Sequence, residues 1–124
     1  MPRTPPIVDA TLVGESGPGP IDSAHLRRYT LGEPNLEREV LQLFCEQLLR
    51  TLPLLDAAAS DKDWRMVAHT LKGSGRAVGA WRLAAAAAAA EQVADQAAER
   101  RAGAVRDVEA AAREVLEHLG ARAV

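Results

Sequence analysis

Residues 60–79 read SDKDWRMVAHTLKGSGRAVG, and this stretch decides the fold. Ser60 or Asp61 is a good helix N-cap, and Asp61 and Asp63 place negative charge in the first turn, where the helix dipole favours it. Trp64, Ala68, Leu71, Gly75 and Val78 then recur at spacings of three and four. At about 100° per residue they fall within roughly 40° of Trp64, which is one apolar stripe of an amphipathic helix. Arg65, His69, Lys72, Gly73 and Arg76 fall between about 80° and 180° on the same wheel, on the outer side.

The rest of the chain supplies partners for that stripe. A first short helix is expected from Asp22 to about Tyr29, with Asp22 or Ser23 as its cap. Pro34 suits the first turn of a second helix running to about Ala59. Val40, Leu41, Phe44, Leu48, Leu52 and Leu55 give it one apolar face. Pro53 lies inside and is expected to kink or split it. A further helix is expected over about Ala80 to Glu99. Glu99, Arg100, Arg101 and Gly103 then read as a connection, and a last helix runs from about Ala104 to Leu119 and stops at Gly120.

Composition agrees with this reading. Of 124 residues, 25 are alanine and 3% are aromatic, which favours helix and disfavours a β-sandwich or barrel. The chain is long enough for one domain and short for two. The expected architecture is all-α: an antiparallel up-down-up-down four-helix bundle, preceded by a short extra N-terminal helix. Residues 1–20, rich in proline and glycine, read as a flexible tail or linker, and 21–124 as the domain.

Charge and motifs exclude several functions. Lys+Arg is 15 against 17 Asp+Glu, a net charge of -2, so generic nucleic-acid binding is disfavoured. There is no apolar run long enough to insert in a membrane. With the single Cys45 and no signal peptide, the cytoplasm is the expected compartment. Lys72-Gly73-Ser74 is not a phosphate-binding P-loop, which needs glycine before lysine, so no nucleotide site is expected. Cys45 reads as a core or boundary residue, and His25 and His118 as surface residues without ligand-spaced partners. No metal site is expected.

One segment breaks the local rules. Gly73 and Gly75 sit inside a helix, each costing up to about 1 kcal/mol relative to alanine. Gly75 faces inward, where a missing side chain allows close helix contact. Gly73 faces outward and leaves bare backbone one turn from His69. An exposed histidine with Lys72, Arg65 and Arg76 around it and cleared space beside it suits a nucleophile for a phosphoryl group. Neutral imidazole is available near pH 7. Lys72, one turn on, is placed to pair with the resulting phosphate. Ser74 has the i-4 carbonyl of Thr70 as a local partner.

His69-Thr70-Leu71-Lys72-Gly73-Ser74, followed by Gly79, resembles the signature of histidine-containing phosphotransfer (HPt) domains. The resemblance extends more loosely from Ile21 to Leu119, through the Asp61-Lys62-Asp63-Trp64 helix entry and the Leu83…Glu91 spacing. It departs at Gly75, where the family pattern has a second serine. It implies a four-helix bundle that relays phosphate between receiver-domain aspartates in two-component signalling. By that resemblance His69 is the phospho-acceptor, Lys72 stabilises the phosphate, Gly73 gives the partner access, and Ser74 is a supporting polar position. It implies a phosphorelay intermediate, without autokinase activity, whose partner is the receiver domain of a response regulator or hybrid sensor kinase. No cofactor is expected on the chain itself; Mg²⁺ is expected from the partner receiver domain. A monomer is expected. Leu26 and Tyr29 are candidates for an apolar docking rim. Two rival readings are a phospho-independent helical adaptor of the same fold and the phospho-acceptor domain of a chemotaxis-type kinase. Retention of both His69 and Lys72 argues against the first, and the lack of kinase-type segments against the second.

Overall fold

A computed structural model describes residues 19–120; all but the last two residues of the tail expected at 1–20, and the end of the domain expected at 21–124, lie outside the described residues. The chain forms α1 (Ser23–Tyr29), α2 (Pro34–Asp56), α3 (Asp61–Val78), α4 (Trp81–Gln92) and α5 (Ala98–His118), with no strand among the described residues. The helix α3 packs on α2 and on α4, α4 packs on α5, and α5 returns to α2. With short connections at 57–60, 79–80 and 93–97, α2–α5 make an antiparallel four-helix bundle, and α1 lies against α3.

The helix α3 forms for the reasons its sequence suggests. Ser60 is the N-cap, its hydroxyl accepting from the Asp63 N–H at 3.1 Å. Gly79 ends the helix in the left-handed region at φ 81°, and the Ala80 N–H then donates back to the Gly75 carbonyl at 2.7 Å. Trp64, Ala68, Leu71, Gly75 and Val78 are all buried, as the stripe requires. A Cβ on Gly75 would stand 3.1 Å from the Ala80 oxygen and 3.1 Å from the Ala84 nitrogen. The missing side chain is therefore what lets α3 and α4 touch backbone to backbone. Ala84, Ala87 and Ala90 continue that close seam along α4.

Three expectations are corrected. The fourth helix stops at Gln92, and the connection lies at 93–97 instead of around Glu99–Gly103. The last turn closes with the tighter bond from the Val93 N–H to the Ala90 carbonyl at 3.2 Å, and the Trp64 indole N–H donates to the same carbonyl at 2.7 Å. The last helix begins six residues earlier than expected, at Ala98, because its first turns dock. The Arg101 guanidinium lies 4.7 Å over the Trp64 ring and its Nη1 is 3.6 Å from Asp61. Gly103 is thus helical. Finally, α2 runs unbroken through Pro53 and ends at Asp56, short of Ala59. Pro53 and Leu49 both face solvent, so water can satisfy the carbonyl that proline leaves without a donor.

Candidate functional site

His69 sits in the middle of α3 with its side chain 69% exposed. Its ring is not free to rotate at will. Nδ1 is 3.2 Å from Oε2 of Glu91, near the end of α4. The other oxygen of Glu91, Oε1, accepts from the Lys72 ammonium at 2.6 Å. One carboxylate therefore ties two residues of α3 to α4. A carboxylate only accepts, so the Nδ1 contact places the ring proton on Nδ1 and the lone pair on Nε2. The Lys72 hydrogen bond holds the Glu91 carboxyl below the usual carboxylate range, with His69 adding to it and partial burial opposing it. Glu91 thus stays ionised beside the imidazole.

The expected site residues meet different fates. Gly73 is open, with no heavy atom within 4 Å of an added Cβ. Lys72 stands beside the site, but it is half-buried and paired with Glu91 instead of pointing freely outward. Arg65 is turned toward Asp95, at 3.9 Å, so it is not wholly given to His69. Arg76 is exposed and forms no ion pair among the described residues. The hydroxyl of Ser74 donates to Gln47 Oε1 on α2 at 2.7 Å, and not to the Thr70 carbonyl. The group hydrogen-bonded to His69 is a carboxylate, which α4 brings in among the cations of α3. Among the described residues, no three His, Cys, Asp or Glu side chains come together in a metal-binding arrangement.

Glu91 entered the sequence reading only through its spacing from Leu83. The signal available was a lone charge closing the alanine run, but its distance to His69 depends on the α3–α4 register. His25, expected at the surface, is a packing element. Its Nε2 is 3.1 Å from the Ala77 carbonyl, and its ring meets Trp81 edge-on at 4.8 Å. Asp22 caps α1 on the His25 N–H at 3.1 Å and accepts from the Trp81 indole at 3.0 Å. That indole bond, more than His25 or Arg28, holds the Asp22 carboxyl below its usual range against partial burial. Leu26 belongs to the core and not to a rim; Tyr29 is exposed and lines an open groove. Cys45 is half-buried, and burial with nearby Glu46 pushes its thiol up, so it is not poised to react. His118 lies exposed in the last turn of α5.

The open groove lies between α2 and α3 and measures about 550 Å³, with Tyr29, Leu43, Gln47, Arg50, Gly73 and Ser74 among its walls; Gly73, one turn on from His69, is its nearest approach to that residue along α3. Among the described residues, no helix is long and apolar enough to cross a membrane. Comparison with curated proteins finds no match. The Hpt domain family model matches residues 39–122, from within α2 to beyond α5, and takes in His69, Lys72 and Glu91. A bundle of this topology, a match over more than half the chain and a histidine held on the outer face of α3 agree, and the chain belongs to the Hpt domain family.

Proposed function

We propose that this chain relays a phosphoryl group between receiver-domain aspartates, carried on Nε2 of His69. Hpt domains serve histidine phosphotransfer in two-component signalling and interact with receiver domains of response regulators or kinases. The observation that carries the finer reading is the Nδ1–Glu91 contact at an exposed ring. It leaves Nε2 as the nucleophilic nitrogen. In the transfer, the Nε2 lone pair attacks phosphorus, the N–P bond forms, and the acyl O–P bond breaks with its electrons going to the aspartate carboxylate. Positive charge grows on the imidazole as this happens, and the ionised Glu91 beside Nδ1 stabilises it. Return of the phosphoryl group to a second aspartate reverses these steps.

Lys72 has three N–H donors and spends one on Glu91, so two remain for phosphate oxygens. Gly73 keeps the approach to Nε2 open. Both Glu91 oxygens are engaged by His69 and Lys72, so the Mg²⁺ that phosphoryl transfer calls for would be held by the partner receiver, where it would supply charge neutralisation to the transferring group. The test is phosphotransfer from a phosphorylated receiver to wild type and to His69→Gln. Label is expected in wild type alone, on an acid-labile N–P bond. Equal labelling of the two proteins overturns the assignment.

A further inference from the structure

The helix α2 has two apolar faces, and the bundle uses one. Phe44, Leu48, Thr51 and Leu55 are buried. A second line runs Leu36, Val40, Leu43, Gln47, Arg50 and Leu54, at alternating intervals of four and three residues, and shares Val40 with the core face. That alternation is the seam of a coiled coil, the pattern by which one helix receives another. Its leucines are open: Leu36 is 40%, Leu43 58% and Leu54 54% exposed. The middle of the seam forms one wall of the groove whose other wall is Gly73, Ser74 and Ala77 of α3. Its far end shares a second hollow with Met66, one turn before His69. The seam thus passes alongside the site, on the flank away from the ion pairs that join α3 to α4.

Two polar residues interrupt the seam, and they differ. The Gln47 amide oxygen is already bonded to Ser74 within the chain. The Arg50 guanidinium has no hydrogen bond or ion pair among the described residues, and it stands in the groove wall. A helix laid along the seam would cover that cation. Covering an unpaired charge is costly, so an occupant that is wholly apolar or basic there is rejected, and one that brings a carboxylate is accepted.

We propose that Arg50 is the specificity-determining residue of this surface, and that the occupant is an amphipathic helix of the receiver domain with an acidic side chain opposite Arg50. The proposal rests on the phosphorelay reading above, and the experiment separates the two. Full-length wild type, Arg50→Glu and Arg113→Glu are compared. The last makes the same charge change on an exposed position of α5, which does not line the groove. Each is labelled with phosphoramidate, a donor too small to need docking, and with the phosphorylated receiver that labels wild type fastest in a pairwise profile. Arg50→Glu is expected to take label from phosphoramidate at the wild-type rate and from the receiver about 30-fold more slowly in kcat/KM. Arg113→Glu should match wild type with both donors. A carboxylate-to-lysine change on the receiver's helix should restore transfer to Arg50→Glu. Receiver transfer to Arg50→Glu within threefold of wild type overturns the proposal. So does a wild-type dimer in sedimentation that Leu43→Glu dissolves, because the seam is then filled by a second copy. Failure of wild type to take label on His69 from either donor overturns the phosphorelay reading itself.

Discussion

Replacing Gly73 with alanine should make the protein more stable and no better at its work. Position 73 lies well inside α3, and an added Cβ there meets no heavy atom within 4 Å. Nothing opposes the gain in helix propensity, so the full difference of about 1 kcal/mol between glycine and alanine should appear. For a domain of this size that is a rise of about 4–8 °C in Tm, read by thermal unfolding at the helix band in circular dichroism. The same residue bears on docking, because it lines the groove beside His69. Gly73→Leu should therefore keep its helicity and its reactivity toward phosphoramidate while losing transfer from a receiver. The stability cost of glycine is then the cost of access. A fall in Tm for Gly73→Ala would show that something packs on the position, and unchanged receiver transfer for Gly73→Leu would refute the access argument.

Other outcomes follow from the same geometry. Gly75→Val should lower stability by about 1–3 kcal/mol in urea, since its side chain enters a backbone contact between α3 and α4; an unchanged midpoint would mean the helices are not that close. Lys72→Ala should slow transfer while costing no more than about 1 kcal/mol of stability, and a large drop in Tm would make Lys72 structural. Glu91→Gln should slow transfer about tenfold, because a neutral hydrogen bond replaces a charge-assisted one at Nδ1; a wild-type rate would remove Glu91 from the mechanism. The folded carboxyl of Glu91 is depressed below its ordinary value of 4.5, so its stabilisation is present above that pH and fades as pH falls through the folded value. The urea midpoint of wild type should exceed that of Glu91→Gln near pH 6, with the gap closing on acidification; a gap independent of pH would contradict this.

Much of this was legible along the chain, and what was not has identifiable causes. The helix α3 announces itself because its cap, its period and its terminal glycine are all local. The side of the helix that carries His69 follows from the same period. The end of α4 does not, because an alanine run has no preferred stopping point. The stop falls where Trp64, 26 residues earlier, donates its indole N–H to the Ala90 carbonyl. Glu91 escaped for a related reason. It reaches His69 across 22 residues, through a register set where Gly75 meets Ala84. The docking of His25 on Trp81 likewise joins positions that only the fold brings together.

The corner where α1 meets the bundle bears on how the protein is best trimmed. The family match starts at residue 39, yet Ile21, Leu26 and Thr30 are buried, and the Asp22 N–H donates to the Gly79 carbonyl at 2.9 Å. A side chain on Gly79 would be strained by its φ of 81° and would stand 3.0 Å from the Asp22 Cβ. A truncated chain cut at the family boundary would uncover a hollow lined by α3 and strip the Trp81 indole of its acceptor. The portion of this protein that can be recognised by kinship is therefore shorter than the portion that must be present for it to hold together.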